Sequence, residues 1–92
     1  MLEEIDIIID LRSQKEFQKD KQLYLKLGKE ALNIDFFQAP KEVEKLDKEK
    51  SYLLVCETGS FSDIIAKVML SKGFKKVKNL KGGIIELKEK IK

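Results

Sequence analysis

The sequence predicts an α/β domain in which a parallel sheet is covered by helices on both faces. Short apolar runs rich in β-branched residues alternate along the chain with charged segments of helical periodicity. This alternation favours parallel strands, because the helices that connect such strands lie on the two faces of the sheet. The chain has 92 residues, enough to enclose one hydrophobic core. We therefore expect residues 1–92 to form a single domain.

Four short segments are predicted to be strands. The first is rich in isoleucine and ends at Asp10, and the third is a continuous apolar run that ends at Cys56. The third run gives the strongest strand pattern in the chain. The predicted strands comprise residues 5–10, 32–36, 52–56 and 77–80.

The segments between these strands have helical patterns. Ser13 is suited to cap the first of them, which we expect to form one or two surface helices interrupted or ended at Gly28. Pro40 is tolerated in the first turn of the second. The predicted helical segments comprise residues 14–29, residues 39–46, the stretch from Ser62 to Gly73, and residues 84–91 after the turn at residues 82–83.

Composition and charge exclude several classes of function. The net charge of +3 comes from 19 basic and 16 acidic residues that are mixed along the chain, so a nucleic-acid-binding arm is not expected. The apolar runs are far shorter than the roughly 20 residues that cross a bilayer, so we expect no contact with a membrane. The N-terminal segment is acidic and does not resemble a secretory signal, which favours a cytoplasmic protein.

The chain has one cysteine and no histidine. An internal disulfide, histidine-containing zinc sites and cysteine–histidine or serine–histidine catalytic pairs are therefore excluded. We expect neither a metal nor a cofactor.

Cys56 follows a predicted strand and precedes a predicted helix, at the sheet edge where α/β proteins bind ligands. Gly59 and its small neighbours would let backbone N–H groups surround the sulfur, and the helix N-terminus would favour a thiolate. A cysteine that closes an apolar strand is also commonly an inert core residue. From the residues alone, both interpretations remain open.

Several motifs occur in the order found in one family. They are Asp10-Leu11-Arg12 followed by Glu16-Phe17, then Ala31-Leu32-Asn33-Ile34, the loop Cys56-Glu57-Thr58-Gly59-Ser60-Phe61-Ser62, and residues 73–83 with the sequence GFKKVKNLKGG. From Ile8 to Leu87 the chain resembles a single-domain rhodanese. The resemblance implies a rhodanese-like three-layer domain with a central parallel sheet of about five strands and helices on both faces.

The resemblance also implies a sulfurtransferase or persulfide carrier. In this family a cysteine thiolate takes sulfane sulfur from a small donor, becomes a persulfide, and passes the outer sulfur to a thiol or protein acceptor. Cys56 matches this nucleophile. The related phosphatases place an arginine where this chain has Ser62, so hydrolysis of phosphate esters is not expected.

Three departures from the family pattern are visible. Phe61 replaces the usual loop arginine and Glu57 adds a negative charge, so thiosulfate is expected to be a poor donor. The segment before Ala31 is degraded, and Leu87 stands at the position of a tryptophan. These last two changes affect packing rather than the sulfur.

The predicted site contains Cys56 as the catalytic residue, and the expected substrate-binding residues are Glu57, Thr58, Gly59, Ser60, Phe61, Ser62 and Arg12. Arg12 either supplies the missing positive charge or has a structural role, as an ion pair with Asp10 or as a loop anchor. Phe61 either closes an apolar pocket over a persulfide or attaches the loop to the following helix. Two other functions stay open: a non-catalytic rhodanese-like binding or regulatory module, and a redox sensor.

Overall fold

The computed structural model describes residues 2–90. Its elements alternate between strands and helices, with short 3-10 turns at Leu2–Glu4 and Val43–Lys45. In chain order they are β1 (Ile7–Asp10), α1 (Gln14–Lys26), β2 (Glu30–Asn33), α2 (Ala39–Glu42), β3 (Ser51–Val55), α3 (Ser60–Ser71), β4 (Lys76–Asn79) and α4 (Gly83–Lys90).

The strands form a parallel sheet in the order β2-β1-β3-β4. This confirms the predicted α/β class. Within residues 2–90 the sheet has four strands, where the family resemblance implied about five. The segment before β1, Leu2–Glu4, is a 3-10 turn and the segment between β2 and β3 is helical, so neither adds a strand to the sheet.

The strands carry apolar side chains to both faces of the sheet, because successive residues of a strand point to opposite sides. Ile7 and Ile9 pack in one core together with residues of α2 and α3, including Ala39 and Met69. Ile8 packs in a second core with residues of α1 and α4, among them Phe17, Tyr24 and Ile84. The two central strands, β1 and β3, are buried on both sides, which explains their continuous apolar runs.

The first long helical pattern forms one helix, α1. The Ser13 hydroxyl accepts a hydrogen bond from the backbone N–H of Glu16 at 3.3 Å, as the predicted cap requires. The helix ends at Lys26, and Gly28 follows with a φ of 70°, a conformation that glycine adopts readily.

Strand β2 is shorter and begins earlier than the predicted strand over residues 32–36. The chain leaves the sheet after Asn33, because the Asp35 carboxylate accepts a hydrogen bond from the backbone N–H of Phe37 at 2.9 Å and stabilises a turn. Phe36 therefore lies in a turn at the sheet edge. At the other end of the chain, Ile91 of the predicted last helix lies outside the described residues.

Within residues 2–90, none of the helices is both long enough and apolar enough to cross a bilayer.

Candidate active site

The sulfur of Cys56 lies at the centre of a ring of hydrogen-bond donors. Cys56 directly follows β3, and the loop then turns through Gly59, whose φ is 98°. The backbone N–H of Gly59 lies 3.0 Å from Sγ and that of Ser62 lies 3.3 Å from it. The Ser62 hydroxyl is also 3.3 Å from Sγ. Two backbone N–H donors and a hydroxyl that can turn to donate therefore surround the sulfur, an arrangement that favours negative charge.

These contacts change the acidity of the thiol. Burial by itself raises the pKa of Cys56, which is only 3% exposed. Hydrogen bonds from the Ser62 hydroxyl and from the backbone N–H groups of Ser62, Gly59 and Phe61 act in the opposite direction and are stronger in sum. The pKa of Cys56 is therefore lowered, which is typical of a reactive cysteine.

Asn79, at the end of β4, forms hydrogen bonds with the cysteine loop. Its Nδ2 donates to the backbone carbonyl of Gly59 at 3.0 Å, and its Oδ1 accepts a hydrogen bond from the Ser62 hydroxyl. Asn79 thereby joins two of the residues that contact the sulfur. It was missed as a site residue, although it lies inside the GFKKVKNLKGG motif.

The double glycine at residues 82–83 packs against the backbone of the cysteine loop. The backbone N–H of Ile84 donates to the Cys56 carbonyl at 2.9 Å. Gly83 has a φ of 66°, and a Cβ at this position would lie 2.1 Å from the carbonyl oxygen of Glu57. Only glycine fits between the first turn of α4 and the cysteine loop.

A cleft of about 270 Å³ opens above the sulfur. Its wall comes from the loop, from the segment after β1 and from the turn after β2: Leu11, Arg12, Ser13, Glu16, Asp35, Phe36, Phe37, Cys56, Glu57, Thr58 and Phe61. The described residues also form larger depressions of about 480 and 450 Å³, but Cys56 is in the wall of neither. The chemistry of the loop therefore identifies the smaller cleft as the candidate site.

Three phenylalanine rings surround the opening of this cleft. The ring centroids of Phe36 and Phe61 are 4.7 Å apart, and those of Phe36 and Phe37 are 5.3 Å apart. Phe61 is 57% exposed and Phe37 is 87% exposed. The position of Phe61 in the cleft wall fits the first of its two expected roles, the closing of an apolar pocket. Phe36 and Phe37 were missed, because no sequence motif connects them to Cys56.

Arg12 forms a structural ion pair, which is one of the two roles expected for it. Its Nε and Nη2 donate to the two oxygens of Asp10 at 3.0 and 2.8 Å, and Nη2 also donates to Asp20 at 2.8 Å. The side chain is 8% exposed. Burial lowers the pKa of Arg12, but the hydrogen bonds to Asp10 and Asp20 outweigh it and raise the pKa. Arg12 lines the cleft, yet its charge is directed at carboxylates rather than at the sulfur.

The other predicted site residues separate into two groups. Gly59 and Ser62 are buried and contact the sulfur, whereas Glu57 and Thr58 are exposed and line the cleft. Ser60 is exposed at the start of α3 and is absent from the cleft wall. Among residues 2–90, no cluster of acidic and cysteine side chains is arranged to hold a metal ion.

The chain is similar in sequence to proteins of a known family. Residues 1–90 match the family model described as a rhodanese-like domain. A tRNA sulfurtransferase of Aeromonas hydrophila is 38% identical over 73 residues, which cover 79% of this chain and 15% of that protein. The chain thus spans about 15% of the length of this curated relative.

Solved structures share the architecture. A rhodanese-related protein of Thermoplasma volcanium has a TM-score of 0.78 at 17% identity, with 98% of this chain and 83% of that chain covered. A human single-domain sulfurtransferase has a TM-score of 0.72 at 19% identity, with 95% and 84% covered. At these identities the likeness shows the fold alone.

Proposed function

The chain belongs to the rhodanese-like domain family, as its motifs predicted, and on this premise we propose that it transfers sulfane sulfur through a persulfide on Cys56. The observation that carries the proposal is the convergence of the Gly59 and Ser62 donors on Sγ at 3.0 to 3.3 Å. Membership in the family and the relatives named sulfurtransferase support sulfur transfer in general.

In the first half-reaction the Cys56 thiolate attacks the outer sulfur of a donor R–S–SH. A new S–S bond forms on Cys56 while the S–S bond of the donor breaks. The thiolate RS⁻ leaves with the electron pair of that bond and takes a proton from solvent. Sulfur is transferred without any external oxidant or reductant, and the donors around Sγ favour the attacking thiolate.

In the second half-reaction an acceptor thiolate attacks the outer sulfur of the persulfide, and Cys56 leaves as a thiolate. The backbone N–H groups of Gly59 and Ser62 then stabilise the charge that returns to Sγ. The acceptor carries the sulfur away as its own persulfide. The same ring of donors serves both halves, because Sγ is negatively charged before the first attack and after the second.

We place this activity in a single cytoplasmic domain that comprises residues 1–92 and needs no cofactor. Its partners are a small sulfane-sulfur donor and a thiol or protein acceptor, and neither nucleic acid nor a membrane takes part. The name of the Aeromonas relative refers to a protein of which this chain matches about 15%.

The proposal is tested by loading the protein with polysulfide and measuring its intact mass. Because the chain has one cysteine, a persulfide on Cys56 has no second thiol in the chain to displace its sulfur. We expect the mass of one added sulfur, its loss on treatment with cyanide, and no gain in the Cys56→Ser variant. An unmodified wild-type protein that is folded and still alkylated at Cys56 would contradict sulfur transfer and favour the binding-module alternative.

A further inference from the structure

The three rings at the opening of the cleft form an apolar surface directly above the nucleophile. We call Phe36, Phe37 and Phe61 the aromatic mouth. The spacings between ring centroids, 4.7 and 5.3 Å, lie in the range of favourable aromatic pairs, so the rings form one continuous surface. Two of the three rings are mostly exposed to water. An exposed apolar surface beside a reactive group is typical of a ligand-binding groove.

Carboxylates outnumber cations in the wall of the cleft, by three to one. The carboxylates of Glu16, Asp35 and Glu57 belong to residues of the cleft wall, and none of the lysines within residues 2–90 does. The one cation of the wall, Arg12, is held by Asp10 and Asp20. An approaching anion therefore meets carboxylates and apolar rings, without a free cation to bind it.

The volume of the cleft limits the size of the ligand that it can bind. Its volume of about 270 Å³ is below the roughly 300–1,000 Å³ of pockets for drug-sized molecules. Cys56 is only 3% exposed, so the reacting atom of a ligand must reach into the cleft while the rest of the ligand lies against the rings. A small group the size of a single ring fits this arrangement.

We propose that the aromatic mouth selects sulfur donors in which an uncharged apolar organic group adjoins the sulfane sulfur, such as a small aryl or alkyl persulfide. This inference rests on the proposed sulfur transfer and names its donor class. The organic group R packs on the rings, and divalent sulfur is itself a soft atom that packs favourably against aromatic edges. The Cys56 thiolate takes the outer sulfur of R–S–SH, and RS⁻ leaves with the electron pair of the broken bond.

The first test uses alkylation, which needs no sulfur transfer. Rate constants for Cys56 are measured with iodoacetamide, with neutral N-benzyl-iodoacetamide and with anionic iodoacetate, each divided by the rate constant of a small free thiol. Ratios between reagents in one protein are independent of its thiolate fraction. We expect the benzyl reagent to be favoured over iodoacetamide by about tenfold, and iodoacetate to be disfavoured by about threefold.

Matched variants assign the preference to the mouth. Phe37→Ser and Phe61→Ser should each remove most of the benzyl preference, because each removes one ring of the aromatic mouth. Both side chains are exposed, so their loss leaves the core intact. Glu57→Gln should raise the relative rate of iodoacetate. Leu70→Ser is the control, since Leu70 is 49% exposed on α3 but is absent from the cleft wall.

The second test measures sulfur uptake by intact mass with benzyl persulfide and with thiosulfate. We expect faster uptake from benzyl persulfide, and loss of this advantage in Phe37→Ser. Equal normalised rates for all three alkylating reagents, with sulfur uptake intact, would overturn the donor class and leave sulfur transfer standing. A clear benzyl preference with no sulfur uptake from either donor would instead overturn sulfur transfer.

Discussion

Two polar clusters lie side by side at the same edge of the sheet, yet they differ in where their hydrogen bonds point. Asp10 at the end of β1 is the register partner of Val55 at the end of β3, so the two clusters are neighbours. In the first, Arg12 donates both to Asp10 and to Asp20, and the Tyr24 hydroxyl donates to Asp10 at 2.6 Å. In the second, donors from several residues converge on the sulfur of Cys56.

The difference distinguishes a structural cluster from a reactive one. The four charges of Asp10, Arg12, Asp20 and Lys88 sum to zero, and the groups bind one another. The cysteine loop instead directs its donors to one atom that lies in the wall of a cleft. Both clusters follow the rule that α/β proteins place polar residues at the carboxyl ends of strands. Only the second leaves an atom available to a ligand.

The largest expected effect comes from breaking the first cluster with Arg12→Met. Asp10 is fully buried, and removal of its cation leaves an uncompensated carboxylate. The free energy of unfolding should fall by about 3–5 kcal/mol, as measured by denaturant titration. The pKa of Cys56, measured from alkylation of the folded protein, should stay almost unchanged.

Lys88→Met is the control for this change, because Lys88 is 48% exposed and its pair with Asp20 should contribute about 0–1 kcal/mol. If Arg12→Met shifted the pKa of Cys56 strongly while the protein stayed stable, the two clusters would have been assigned the wrong way round.

A smaller effect, confined to the second cluster, is expected for Ser62→Ala. Hydrogen bonds to charged groups contribute about 1.5–3 kcal/mol, so loss of the hydroxyl should raise the pKa of Cys56 by roughly 1–2 units. The alkylation rate follows the thiolate fraction and rises with pH, and its midpoint should lie below about 8.5 in the wild type and move upward in the variant.

Ser60→Ala serves as the matched control for Ser62→Ala, since Ser60 is exposed and absent from the cleft wall. A wild-type midpoint at or above about 8.5 would mean that the ring of donors does not favour the thiolate. Equal shifts in the two variants would contradict the specific role of the Ser62 hydroxyl.

The smallest effect is expected for Phe61→Arg, which changes the charge of the cleft wall and should change the choice of sulfur donor. The new guanidinium would give the cleft wall a cation that is not already bound by carboxylates, as Arg12 is. The ratio of kcat/KM for thiosulfate to kcat/KM for an uncharged persulfide should rise by about threefold to tenfold. Phe61→Gln separates loss of the ring from gain of charge. An equal rise in Phe61→Gln would show that the charge is not the cause.

Much of the fold followed from local pattern. The alternation of apolar runs with helical segments predicted the parallel sheet and all four observed strands, with the ends shifted by at most three residues. The largest shift is at β2, where hydrogen bonds of the Asp35 turn overrode the apolar pattern of residues 34–36. Local pattern does not show where a strand loses its partner, because pairing is set by the neighbouring strand.

The candidate site was predicted in part. The loop from Cys56 to Ser62 is contiguous in the sequence, so its motif was visible. Phe37, Asn79 and the Asp20 partner of Arg12 come from separate elements. They meet the loop or the first cluster only after the sheet has formed. Asn79 lies inside the GFKKVKNLKGG motif, but the motif does not show which groups its side chain contacts, and no pattern connects Phe37 or Asp20 to these clusters. Only the structure identifies these contacts.

The link between Ser62 and Asn79 has a consequence for the resting state of the sulfur. A serine hydroxyl owns one hydrogen, and here two acceptors compete for it, the Oδ1 of Asn79 and the Sγ of Cys56. When the sulfur is a thiol, its own S–H can point to the Ser62 oxygen, and the serine hydrogen can stay with Asn79. For the serine hydroxyl to stabilise the ionised sulfur, its hydrogen has to rotate toward Sγ and leave the amide oxygen. Ionisation of Cys56 is therefore coupled to a rotation of the Ser62 hydroxyl and to the loss of its hydrogen bond with Asn79 at the end of β4. In this way the charge on the nucleophile changes the hydrogen bonding of an edge strand of the sheet.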